Sequence, residues 1–179
     1  MKYSREHPSP QCQALIAKYT EWHRHGQIKQ WKGRGLPCAR QMREEVPPDA
    51  AYTVLDYGCG KGEYIRDQTW DVPGVALVTG YDPAVSVWAT PPQGTFDYVV
   101  TKDVLEHLTP EDIDWVLEEM FSLAQRKVWV IVGTYARGKP FPDGSGNSNT
   151  LVWKPNKWAE ILKSYENRFG VPCYARIKT

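Results

Sequence analysis

Beyond residue 50 the chain alternates apolar runs of strand length with polar, glycine-bearing segments. Tyr52–Tyr57, Val75–Tyr81, 96–101 (FDYVVT) and 127–134 (KVWVIVGT) are rich in Val and aromatic residues, as strands are. The last of these has no polar residue from Val128 to Val132, so it reads as a strand buried on both faces. Helical periodicity appears between them. A short helix is expected over 62–69. A longer one follows residue 109, where Ile113, Val116, Leu117, Met120 and Phe121 share one face. Thr109 reads as its cap and Pro110 as its first residue, and Glu111 and Asp112 favour its positive end. A last helix over 155–167 and a final strand over 171–178 complete the series. This rhythm predicts an α/β fold with a doubly wound, mostly parallel sheet and helices on both faces.

The first fifty residues follow a different pattern. Residues 9–25 carry Leu15, Ile16, Tyr19 and Trp22 at helical spacing, with Ser9 as cap, Pro10 in the first turn and Gly26 as the stop. Residues 27–37 read as a loop, and Ala39–Glu45 as a short helix halted by Pro47-Pro48. The expected division is a helical extension or lid over 1–50 and a catalytic domain over 51–179. A Gly-, Pro-, Asn- and Ser-rich stretch, 136–150, is a long loop between strand and helix.

Composition narrows the class. The chain has 179 residues, 41% hydrophobic and 24% charged, which suits one soluble domain with a real core. No apolar run approaches the roughly 18 residues of a membrane span, and the opening MKYSREHPSPQ has no apolar segment of a secretory signal. The four cysteines form no CxxC pair, so no metal site is expected and a cytoplasmic location is. A net charge of +1 argues against a strong non-specific grip on nucleic acid. Most of the eight tryptophans are expected in the core.

The chemistry concentrates in VLDYGCGKGEY. Gly58, Gly60 and Gly62 lie between a buried strand and a helix start, where a tight turn needs residues without Cβ. Asp82 lies twenty residues beyond Gly62, at the end of the next strand, where a carboxylate can accept hydrogen bonds from ribose hydroxyls. The third glycine comes one residue earlier than in the dinucleotide pattern G-x-G-x-x-G. With Asp56 two residues ahead of the first glycine, the loop resembles the first motif of class I S-adenosylmethionine (SAM)-dependent methyltransferases, D/E-x-G-x-G-x-G. VLDYGCGKG, GYDPA and FDYVVTKDVLEHL carry the resemblance over about 51–132, and a compact subgroup of small bacterial and phage methyltransferases is the most similar.

That resemblance implies a Rossmann-like fold and SAM as cofactor. It implies that Asp56 and the loop (Tyr57, Gly58, Cys59, Gly60, Gly62) hold the amino-acid end of SAM. Asp82, with Pro83 beside it, holds the ribose; Asp103, with Val104 beside it, faces the methyl-donor region. One departure stands out: only thirteen residues separate Asp82 from Phe96, and they include Pro91-Pro92. The third strand of the family is therefore expected to be missing or vestigial. No adenine-gripping acid is identified, and Val85 or Trp88 is the candidate apolar wall.

His107, just past the 96–101 strand, is the candidate general base, with a structural, SAM-adjacent role as the alternative. Tyr19 and His23 share a helix face and are candidates to line or cover the cleft, packing being the alternative. Asn149 and Trp153, in the long loop and just after it, are candidate acceptor contacts. Lys29, Lys32, Arg34, Arg40 and Arg43, with Trp31, form a basic stretch that reads as solvated surface or an anion contact. The expected reaction is methyl transfer to a small-molecule acceptor. The alternatives are a nucleic-acid methyltransferase, disfavoured because TKDVLEHL lacks the D/N-P-P-Y/F tetrad, and a non-catalytic SAM-binding partner subunit.

Overall fold

The computed structural model describes residues 3–24, 35–135, 140–141 and 143–179. Five strands form one parallel sheet: β1 (Tyr52–Tyr57), β2 (Val75–Tyr81), β3 (Phe96–Lys102), β4 (Ala124–Gly133) and β5 (Cys173–Lys178), in the order β2-β1-β3-β4-β5. Every pairing is parallel, so all five C-terminal strand ends open on one edge of the sheet. That edge is where ligands bind in open α/β sheets. The all-parallel arrangement goes beyond the expected mostly parallel one.

Period-two alternation sends side chains to two separate cores. Val128, Val130 and Val132 of β4 face α4 (Ile113–Leu123) and α5 (Pro155–Phe169), where Met120, Phe121, Trp158 and Leu162 are buried. Trp129 and Ile131 face the opposite way, toward α2 (Ala39–Glu45) and α3 (Glu63–Arg66), with Met42, Val46, Tyr64 and Ile65. A register shift between Phe96 and Tyr98 puts Phe96 in the first core and Tyr98 in the second. Burial on both faces explains the unbroken apolar run of β4.

Several boundaries depart from expectation. α3 is a single turn, because Gln68 adopts a left-handed φ of 53° and closes it. α4 begins at Ile113 rather than beside Pro110; the Thr109 hydroxyl donates to Asp112 instead of accepting a helix N–H. β4 starts three residues early, and α5 runs on to Phe169, where Gly170 ends it at φ 68°. Between Asp82 and Phe96 the only regular element is a short 3-10 turn, Ser86–Trp88. No third strand forms there, and β2 is left as the sheet edge with Leu77 half exposed.

α1 (Pro10–Arg24) runs from the start of α4, past His107 and Ser148, to Asp82. Ser9 caps it, its Oγ accepting from the Cys12 N–H at 3.0 Å. The same residue ties the helix to the start of α4, because Asp112 accepts the Ser9 N–H at 3.0 Å and also the Ser9 hydroxyl. Trp115 Nε1 donates to the same carboxylate at 2.7 Å. At the far end His23 comes under the charge of Asp82, at the tip of β2. Fifteen helical residues span ~22 Å, enough to cross from α4 to β2. Residue 25, the Gly26 stop, most of the 27–37 loop with Lys29, Trp31, Lys32 and Arg34, and part of the 136–150 loop lie outside the described residues. Of the basic stretch, Arg40 is exposed, and Arg43 is tied to Asp71 at 2.8 Å.

Candidate active site

One side of the opening is built on the ends of β1 and β2. Asp56 shares its sheet face with α3 and is buried, its Oδ2 accepting the Tyr64 hydroxyl at 2.7 Å. Burial raises its carboxyl to a pKa of about 7 despite that hydrogen bond. Tyr57, one residue on, points to the opposite face and donates to Glu119 of α4 at 2.5 Å, so its side chain takes no part in the opening. The loop then turns at Gly58, with φ 84°, where an added Cβ would lie 2.3 Å from Val104 Cγ2. The glycine there follows from a positive φ and from close packing against the β3 end.

Four of the loop's N–H groups are satisfied within the protein, that of Gly62 by the Cys59 carbonyl at 3.1 Å. Gly58 and Cys59 donate to the Tyr81 carbonyl at 2.7 and 3.1 Å, and Gly60 donates to Asp82 Oδ2 at 2.9 Å. The loop is therefore a shaped turn more than a free anion cradle, contrary to the simple reading of glycines ahead of a helix. Cys59 is buried against Gly80, and burial pushes its thiol well up, so it stays protonated. Gly62 needs its φ of 54°, and a Cβ there would lie 2.7 Å from the Trp88 indole. That indole donates to the Lys61 carbonyl at 3.0 Å, so Trp88 is packed onto the loop. Val85 is half-buried and precedes the same turn.

Asp82 is held by backbone on both oxygens: Oδ1 accepts the Ala84 N–H and Oδ2 the Gly60 N–H, both at 2.9 Å. A carboxylate has about four acceptor positions, so two remain for hydroxyl donors. Burial raises its pKa, while the two backbone N–H groups and the charge of His23 oppose the rise. Pro83 beside it is exposed. An oriented carboxylate at a strand end, with lone pairs to spare, suits the ribose of a nucleoside-bearing donor.

The other side of the opening draws on residues far apart in sequence. Asp103 follows β3 in a left-handed conformation, φ 56°, and its carboxylate pairs with Lys178 at the end of β5. Val104 packs on Gly58, holding this turn against the glycine loop. His107 Nδ1 lies 2.8 Å from the Ser148 carbonyl, so Nδ1 carries the proton in the neutral ring. Burial lowers its pKa and keeps it neutral at pH 7. The Tyr19 hydroxyl donates to the same Ser148 carbonyl at 2.9 Å, and its ring meets His107 at 5.7 Å between centroids. Tyr19 and His107 thus come together across one loop carbonyl. His23 sits at the other end of α1 beside Asp82, its own pKa lowered by burial and raised in part by that acid.

Asn149 braces the strap between β4 and α5, donating from Nδ2 to the Tyr135 carbonyl at 2.9 Å. Trp153 is not brought to the opening. Its ring packs 4.9 Å from Trp158 of α5, with the Lys157 ammonium 3.7 Å away over it.

Two residues the sequence reading left out belong to this region. Glu106, inside DVLEHL, is only 1% exposed; its Oε1 accepts the Gly133 N–H at 2.9 Å, and its Oε2 has no hydrogen-bond partner among the described residues. Burial lifts it to a pKa of about 7. A carboxylate within an apolar stretch was a visible signal. Lys178 had none, since its position depends on which way the last strand runs.

A family model described as a methyltransferase domain matches residues 10–166 of the chain. No curated protein matches it significantly. The matched span takes in α1, the glycine loop, Asp82, the β3 turn and most of α5, and the chain belongs to that methyltransferase-domain family, whose members transfer a methyl group from SAM.

Proposed function

We propose that this methyltransferase acts on a small-molecule acceptor, bound between the ends of β3 to β5 and the roof formed by α1 and residues 143–150. The observation that carries the reading is the shared Ser148 carbonyl. Tyr19 from α1 and His107 from the β3 turn both bond it, which draws helix, loop and strand end over one opening. A roofed opening suits a compact acceptor better than a nucleic-acid duplex. The net charge of +1 supports the same choice, since phosphate-backbone binding draws on a basic surface.

When bound, SAM supplies the activated methyl group, and the protein's work is to bind, orient and exclude water. Asp82 holds the ribose hydroxyls, and the loop from Asp56 to Gly62 shapes the seat for the amino-acid end. His23 and the end of α1 cover that seat. His107, held by the Ser148 carbonyl at Nδ1, is the residue proposed to take a proton from an acceptor hydroxyl or amine. In the test, SAM carrying a tritiated methyl group is incubated with cell extract divided into nucleic acid, protein and molecules below about 3 kDa. Label is expected in the small-molecule fraction. Label in RNA or DNA would replace this reading with the nucleic-acid one. No turnover with any fraction, despite SAM binding, would favour the partner-subunit role.

A further inference from the structure

The absence of a third strand concerns one edge of the sheet; the other edge has its own consequence. β5 pairs with β4 in parallel, from Val128↔Cys173 to Gly133↔Lys178. A parallel last strand delivers its C-terminal residue to the same edge as the glycine loop, Asp82 and Asp103. An antiparallel strand would deliver its N-terminal residue there instead. Lys178 is the residue so delivered. Its carbonyl accepts both the N–H and the hydroxyl of Thr134 at 2.9 Å, which fixes the strand end against the strap after β4. Its ammonium pairs with Asp103 Oδ1 and lies 5.8 Å from the centre of the Tyr135 ring.

Asp103 cannot drift from this partner. Its N–H donates to the Ile131 carbonyl at 2.9 Å, and its φ of 56° commits the turn. The next residue, Val104, fills the space over Gly58. The pair therefore adjoins the glycine loop on the side away from Asp82. β1 lies between β2 and β3, so a donor held by Asp82 at one end and lying along the loop extends toward Asp103. The pair remains open to that space, with the Lys178 side chain 26% exposed and that of Asp103 40%.

We propose that Lys178 is a positioning residue: it neutralises Asp103 beside the methyl-transfer end of the donor, and so sets how strongly the site distinguishes the sulfonium of SAM from the neutral thioether of its demethylated product. The inference rests on the donor placement proposed above. The sulfonium carries a positive charge that the thioether lacks, so the effect of a net charge at this pair on the amino-acid groups common to both ligands cancels from their affinity ratio, and its effect on the sulfonium does not. With carboxylate and ammonium together, the two ligands meet a nearly neutral neighbour. Burial works against the charge on Lys178, yet the hydrogen bond and charge of Asp103 outweigh it and hold the ammonium above its usual range. The cation is therefore present throughout the neutral pH range.

Calorimetry with SAM and with the demethylated product, at low salt, tests this on the full chain. Lys178→Met keeps the aliphatic stem and leaves Asp103 alone, so the ratio of SAM to product affinity should rise about three- to tenfold. Asp103→Asn leaves the ammonium alone and should lower the ratio by a similar factor. The double variant and Lys178→Arg should both return it near the wild-type value. A merely structural role would weaken both ligands together and leave the ratio unchanged. A ratio within twofold of wild type in both single variants overturns the proposal while leaving SAM binding intact. Wild-type protein that binds neither ligand would instead overturn the donor placement, and this inference with it. Thermal melts of each variant separate loss of fold from loss of charge.

Discussion

The two halves of the opening are built differently. On the side proposed for the donor, Asp56, the glycine loop and Asp82 come from two short segments on adjacent strands, and their contacts are largely to backbone: loop N–H groups donate to the Tyr81 carbonyl and to Asp82. On the side proposed for the acceptor, Tyr19, His107, Ser148, Asn149, Asp103 and Lys178 come from α1, the β3 turn, a long loop and the last strand. Backbone contacts depend little on neighbouring side chains, so the donor half can be recognised as a motif. The other half depends on side chains that reach distant segments, Tyr19 and His107 to the Ser148 carbonyl and Lys178 to Asp103, across as many as 129 residues. One half is a property of a segment, the other of the folded chain.

The largest expected effect probes the anchor of the acceptor half. Asp112→Ala removes the acceptor shared by buried Ser9 and Thr109 and half-buried Trp115. Stability should fall on the order of 2–4 kcal/mol in urea unfolding; a change below about 0.5 kcal/mol would show that α1 is held elsewhere. Burial alone would raise the pKa of Asp112, but the Ser9, Thr109 and Trp115 hydrogen bonds outweigh it and lower the value. The stability from this group is therefore full above its unfolded pKa of ~3.9 and is lost as pH falls through the lower folded value.

On the donor half, Asp82→Ala should weaken SAM binding by roughly 1.5–3 kcal/mol, the range for hydrogen bonds to a charged group. An unchanged dissociation constant by calorimetry would move the ribose to another residue. Glu106 gives a pH test at the junction of the two halves. Its folded pKa, about 7 through burial, lies above the unfolded value, so the wild type is fully stable below that unfolded value and loses stability as pH rises through 7. Glu106→Gln removes the titration, so its stability relative to wild type should improve between pH 5 and pH 8 by about 2 kcal/mol. Parallel stability curves for the two proteins would refute the shift. The smallest effect belongs to Tyr19→Phe, which deletes one hydrogen bond to Ser148 and should cost about 1 kcal/mol. If the roof matters to acceptors, the turnover this variant loses should exceed that cost; equal losses would make Tyr19 a packing residue.

The sequence by itself determined the strands, the parallel α/β class, the glycine turn and the acid at the next strand end. Each of these follows from local periodicity, or from a backbone conformation that only certain residues tolerate. It also exposed the missing third strand, because thirteen residues with three prolines cannot hold a helix and a strand. Tertiary structure alone decided that Tyr57 turns away to Glu119, that Trp153 packs on Trp158, and that Trp88 seats on Gly62. Sequence periodicity says whether a side chain is buried; it does not say against what. Helix starts such as that of α4 moved because the Thr109 hydroxyl found a stronger partner in Asp112 than in a helix N–H. Lys178 was the least legible of all, since its place in the opening follows from the direction of β5. Strand direction is set by where the chain re-enters the sheet after α5, and no residue within the strand records it.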